Sequence, residues 1–183
     1  MKKIAISLAA LAVVASAAFA GPKEDANQGP TGVGEGALDC SGAASITCGG
    51  SASGPLGPGG TVAAYGCTTL SYDGAEEGVV EFCVGGAGTV SVDVTYAHGS
   101  YNDLDLFVLG SCDPGDCIDA SLGTSGSENV TAALGAGTYY AVVDGWNGLA
   151  DGSGYDLSVS CSTPCTNPVI ESTWGAVKSI YAK

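Results

Sequence analysis

The chain contains no arginine, and its lysines sit only at the two ends: Lys2, Lys3, Lys23, Lys178 and Lys183. Its single histidine is His98 and its single methionine is Met1. A body without positive charge is a poor match for phosphate or anionic lipid, so neither nucleic acid nor a membrane surface is an expected partner. One imidazole also leaves little for histidine-based catalysis. A Ser-His-Asp triad would need His98 beside a positioned serine, and neither a G-x-S-x-G elbow nor an H-E-x-x-H helix occurs. Accidental pairs among the 19 acidic residues are too common to single out a glycosidase dyad. The chain reads as a non-enzyme. Beyond residue 20 no apolar run approaches the length of about 20 residues that spans a bilayer, so no membrane insertion is expected.

What is present begins with a leader. Lys2 and Lys3 precede an apolar run from Ile4 to Ala17 and the small-x-small triplet Ala18-Phe19-Ala20, the pattern of a secretory signal peptide over residues 1–20. Cleavage would expose Gly21, and the first cysteine is Cys40, so the N-terminal cysteine of a lipoprotein is missing. The expected location is secreted: periplasm, cell surface or medium. Residues 21–36, rich in glycine, proline and charge, read as a disordered leader. After cleavage three lysines stand against 19 acidic residues, a formal charge of −16. Such a surface attracts divalent cations, although solubility in a saline exterior is the simpler reason for it.

All eight cysteines lie downstream of the leader, an even count that predicts disulfides in an oxidising compartment. Zinc would want histidine companions that the chain does not have. The Pro114-Gly115 turn between Cys112 and Cys117 predicts a bridge between these two, and Cys48 with Cys67 would close a longer loop. Cys40 with Cys161 would then tie the first strand to the last, leaving Cys83 with Cys165.

Short segments of period-2 alternation, divided by glycine-rich turns, predict an all-β, antiparallel β-sandwich of about eight strands, jelly-roll-like and disulfide-stapled. In Val90–Tyr96 the valines share one face while Ser91, Asp93 and Thr95 share the other. Tyr155, Leu157, Val159 and Cys161 alternate equally well. The other expected strands are 45–48, 61–65, 78–84, 103–109, 129–134 and 138–144. The 30 glycines count against helix throughout the body. In the tail, residues 162–183, Trp174, Val177 and Tyr181 recur at i, i+3 and i+7 behind Ser172 or Thr173, predicting a short amphipathic helix that packs on the sandwich or serves as a docking tag.

Three segments carry a resemblance: Asn102-Asp103-Leu104-Asp105-Leu106-Phe107-Val108-Leu109, then Tyr139-Tyr140-Ala141-Val142-Val143-Asp144-Gly145, then Tyr155-Asp156-Leu157-Ser158-Val159. Together they resemble the bacterial pre-peptidase C-terminal (PPC) domain, with its D-L-D-L-F-x-L, Y-Y-x-V-V-D-G and G-x-Y-x-L-x-V runs. The resemblance covers roughly residues 39–161, within a domain expected over residues 37–161. It implies a calcium-associated β-sandwich that binds rather than catalyses and is normally appended to a larger enzyme.

Two acidic groups are the chemical candidates. Asp103 and Asp105, at i and i+2 on a strand, face the same side about 7 Å apart. The loop from Asp144 to Ser153 adds oxygens at Asp144, Asn147 and Asp151. Calcium accepts six to eight such ligands in loose geometry, so a Ca2+ site is one expectation. The other is that Asp103 and Asp144 hold their loops by accepting backbone N–H bonds. Trp146, expected to be exposed on this loop, is the candidate ligand contact. The sequence thus predicts a secreted accessory module binding an extracellular polysaccharide or protein. The alternative is a structural subunit of a bacterial surface layer or appendage.

Overall fold

Alternation along the chain becomes two stacked sheets. The computed structural model describes residues 36–165 apart from residue 58; the expected signal peptide, the leader up to residue 35 and the tail helix lie outside these residues. Nine strands are described: β1 (Ala44–Thr47), β2 (Ser51–Gly54), β3 (Gly78–Val84), β4 (Gly88–Tyr96), β5 (Leu104–Leu109), β6 (Cys117–Ser121), β7 (Ser127–Leu134), β8 (Gly137–Gly145) and β9 (Tyr155–Cys161). Single 3-10 turns, Pro114–Asp116 and Trp146–Gly148, are the helical elements among them.

The antiparallel pairs β2–β9, β3–β8, β4–β7 and β5–β6 nest inside one another like a single long ribbon folded on itself. Rolling that ribbon sends alternate pairs to opposite sheets, ordered β1-β3-β8-β5-β6 and β2-β9-β4-β7, which is jelly-roll topology. β1 departs from the antiparallel rule by running parallel to β3. The expected eight strands become nine because the Ser-Ala-Ser-Gly of β2 and the short β6 carry no apolar rhythm. Conversely, the expected strand at 61–65 is not one.

The inward rows meet as expected. Val80, Phe82 and Val84 of β3, Leu104, Leu106 and Val108 of β5, and Ala141 and Val143 of β8 face Val90, Val92 and Val94 of β4, and Leu157 and Val159 of β9. At roughly 25 cal/mol per Å² of apolar surface removed from water, each such side chain contributes about 1.5–3 kcal/mol.

β5 is buried at every residue, because the outer face of its sheet is covered as well. Leu38, Val62, Tyr65 and Tyr72, from the chain before β3, form a second cluster on Phe107, Leu109 and Val142. Tyr65 stacks on the Phe107 ring at 3.7 Å between centroids, and Tyr72 meets it edge-on at 4.9 Å. The 61–65 segment is thus a lid. Its Thr61 and Val62 N–H groups donate to the Glu77 carboxylate rather than to a neighbouring strand.

Four disulfides join Cys40–Cys112, Cys48–Cys161, Cys67–Cys117 and Cys83–Cys165. The Cys83–Cys165 pairing matches expectation; the pairings Cys112–Cys117, Cys48–Cys67 and Cys40–Cys161 are corrected. Cys112 and Cys117 flank one turn, but each takes its partner from the chain before β3. That chain presses close. Gly66 N–H donates to the Pro114 carbonyl at 2.9 Å, and a Cβ on Gly66 would lie 2.5 Å from the Gly115 oxygen. Glycine is the residue that fits there.

Candidate functional site

Asp105 and Asp144 face each other directly across β5 and β8, both with 0% exposure. The lid supplies their donors. Tyr72 O–H donates to Asp105 Oδ2 at 2.7 Å and Tyr65 O–H to Asp144 Oδ2 at 2.7 Å, while Gly145 N–H donates to Asp144 Oδ1, also at 2.7 Å. Asp103, just before β5, accepts from Tyr96 O–H at 3.4 Å and lies 3.8 Å from the exposed His98 ring. Its backbone bonds Leu149 and Trp146, which holds the Asp144–Ser153 loop against the strand.

Burial outweighs the donors at Asp144 and lifts its carboxyl from the ordinary 3.8 to about 8. The Tyr65 and Gly145 donors pull it down, and the charges of Glu77 and Asp105 push it further up. The Tyr65 and Tyr72 phenols are raised far above their usual range by burial and by the acids beneath them. At neutral pH Asp144 and the two phenols thus keep their protons beneath the closed lid.

Of the five expected calcium ligands, Asp103, Asp105 and Asp144 come to one end of the β5–β8 ladder. Asp151 is exposed and accepts from Ser153 N–H, and Asn147 is exposed in a left-handed turn with φ 51°. Among the described residues no three His, Cys, Asp or Glu side chains are arranged to hold a metal ion. Asp105 and Asp144 each give one carboxylate oxygen to a tyrosine hydroxyl of the lid. Trp146, expected to be exposed, is half-buried against the second cluster. Tyr101, by contrast, is 76% exposed.

Several residues of the centre were not singled out from sequence. Tyr65 and Tyr72 are lone aromatics in runs of small residues, and that isolation is a readable signal. Glu76 and Glu77, which bind the N–H groups of Gly57, Thr61 and Val62, carry no such mark.

The four-stranded sheet differs. Its outer face carries Ser51 and Ser53 of β2, Asp156, Ser158 and Ser160 of β9, Ser91, Asp93 and Thr95 of β4, and Asn129 and Thr131 of β7. Register lines these up in cross-strand rungs such as Ser53-Asp156-Thr95 and Ser51-Ser158-Asp93. Asn129 Nδ2 donates to Ser91 Oγ at 2.8 Å and to Asp93 Oδ1 at 2.7 Å, bracing the rungs. A shallow trough of about 570 Å³ opens beside them, lined by Ser53, Thr95, Tyr96, Ser153 and Asp156 among others. No described segment covers this face with a second apolar cluster of the kind found on the other sheet.

No protein-family model matches the chain, and no curated protein matches it. Among solved structures, the chain is similar to the pre-peptidase C-terminal domain of collagenase from Bacillus anthracis, at 17% identity and a TM-score of 0.48, covering 64% of this chain and 94% of that one. It is also similar to PliG of Aeromonas hydrophila, a periplasmic inhibitor of g-type lysozyme, at 18% identity and a TM-score of 0.36, covering 66% of this chain and 96% of that one. Overlaps this loose place the chain in no family.

Proposed function

We propose that the protein is an exported, non-catalytic binding module that presents the open face of its four-stranded sheet to an extracellular polysaccharide. The observation that carries this is the composition of that face. Its outward side chains are short and carry hydroxyl, carboxylate or, at Asn129, amide groups, with no lysine or glutamate to sweep across it. Short side chains have little rotamer freedom to lose on binding, so a flat array of donors and acceptors engages a hydroxylated chain at low entropic cost. The four disulfides fit a protein that works outside the cytoplasm. No helix of the described residues is long and apolar enough to cross a membrane.

Retention on immobilised neutral polysaccharides tests the reading. The chain is expected to be retarded, and Ser158→Arg, which plants a long side chain in the middle of the rungs, is expected to abolish retardation without lowering the melting midpoint. Equal retardation of that variant, or passage of the unaltered chain through every glycan matrix, would overturn it. Capture by a matrix protein alone would move the partner from glycan to protein. The surface-layer or appendage alternative depends on the tail at 171–181, outside the described residues, and is tested by whether deleting that tail abolishes assembly.

A further inference from the structure

Two features hold the trough beside the rungs open. Asn102, 1% exposed, clamps its walls together, donating from Nδ2 to the Ala97 carbonyl at 2.7 Å and to Ser153 Oγ at 2.8 Å. Gly154, at φ 89°, passes so near the end of β2 that a Cβ would lie 2.7 Å from the Gly54 oxygen. The walls are therefore fixed before anything binds, which removes an ordering cost from association. Half-buried Tyr96 stands opposite Tyr155 in the β4–β9 register, and the pair gives the trough an aromatic side.

Asp156 is the one charged residue that lines it. It lies opposite Ser53 on one side and Thr95 on the other, and it also lines an adjoining hollow of about 300 Å³ that reaches Asp93 and Ser158. The two acids of this face differ in their partners. Asp93 is braced, with Oδ1 accepting from Asn129 Nδ2 at 2.7 Å and Oδ2 from Ser91 Oγ at 3.3 Å. The Asp156 side chain is exposed and accepts no hydrogen bond among the described residues. From residue 24 to residue 177 the sequence holds no lysine or arginine, so the face has no cation to set against either acid.

We infer that this trough is the subsite for one neutral sugar ring, whose hydroxyls donate to Asp156 and whose C–H face rests on Tyr96, and that Asp156 turns away chains bearing uronate or sulfate. The inference rests on the glycan-binding reading and names the residue that sets its specificity. A carboxylate accepts several hydrogen bonds at once, and bonds to an ionised acceptor are the stronger ones. Ser53, Thr95 and Ser153 surround it with hydroxyls that both donate and accept, which is what a ring of neighbouring hydroxyls needs. An anionic ring in the same place would set like charge against Asp156 with nothing positive on the face to offset it. A pocket of this size with an aromatic side and few polar groups is also the usual form of a small-ligand site.

The test compares retention of the full chain on a neutral glycan matrix that retards it with retention on the carboxymethylated form of the same matrix. Both are run at about 1 M salt, where the screening length is roughly 3 Å and only direct contact discriminates. The unaltered chain is expected to bind the carboxymethylated form at least about tenfold more weakly. Asp156→Asn keeps the shape of the side chain; it is expected to bind the neutral form roughly tenfold less tightly and to hold the two forms alike. Asp119→Asn, on β6 of the other sheet, makes the same change in net charge and is expected to match the unaltered chain. Equal retention of the unaltered chain on both forms overturns the inference. So does an Asp156→Asn chain that still discriminates, or an Asp119→Asn chain that does not, which would assign the effect to net charge. In those cases the glycan-binding reading stands if Ser158→Arg still abolishes retardation, whereas passage of the unaltered chain through every glycan matrix removes both.

Discussion

Asp144 and Tyr72 show how single residues govern the lid. Asp144 holds its proton to about pH 8 in the folded chain, against 3.8 as its ordinary value. A carboxyl with a raised folded pKa contributes most stability at acid pH, where both states are protonated. It loses that contribution as pH climbs from about 4 through about 8, because the unfolded chain ionises first. The melting midpoint is therefore expected to fall across that window, and Asp144→Asn is expected to flatten the fall. A midpoint that declines equally in the variant would assign the slope to other groups. Tyr72→Phe removes the hydroxyl that Asp105 accepts while keeping the ring on Phe107. It is expected to cost about 1–3 kcal/mol in urea unfolding, the penalty of a buried acceptor that loses its donor. The aspartates themselves were legible, Asp105 from its i, i+2 spacing with Asp103 and Asp144 from the acidic loop it opens, though not as facing partners. Their donors were not, because Tyr65 and Tyr72 lie more than 30 residues away and reach them only once the lid has closed.

At the scale of elements, alternation announced seven of the nine strands, and chemistry explains the two that it missed. β2 has only Ala52 to place inward, and β6 begins at a cysteine and carries an exposed isoleucine, so neither shows a buried row. The lid misled in the opposite way. Val62 and Tyr65 are real anchors, but at i and i+3 they pin an irregular segment whose backbone is satisfied by Glu77. Disulfide partners were the least readable feature, since spacing reports chain proximity and not the approach of a covering segment. Replacing Cys67 and Cys117 together by serine is expected to cost up to about 4 kcal/mol on the chain-entropy account of a 50-residue separation. Hydrogen exchange should quicken at residues 57–76 in that variant while β4 and β9 stay protected. Uniform acceleration would mean that the lid and the sandwich unfold as one unit.

Over the whole molecule, charge and topology dominate. With 19 acidic residues against five lysines and no arginine, self-repulsion opposes the compact state, and screening it should raise the melting midpoint. Calcium and magnesium at equal ionic strength are expected to raise it by the same amount, because the buried aspartates are committed to tyrosines. A distinctly larger rise with calcium would show that the acid centre opens to admit it. The nested pairing of β2 with β9 outside β3 with β8 makes most contacts distant in sequence. Refolding should therefore be slow compared with helical proteins of this size.

The bridges Cys40–Cys112 and Cys67–Cys117 tie the two ends of residues 40–67, which carry β1, β2 and the lid's Val62 and Tyr65, to the β5–β6 hairpin, one at its turn and one at the start of β6. An extracellular protease that nicks this stretch once, between Cys40 and Cys67, leaves both new ends tethered. The clipped protein would keep its mass and its ring contacts until a reductant reached the sulfurs.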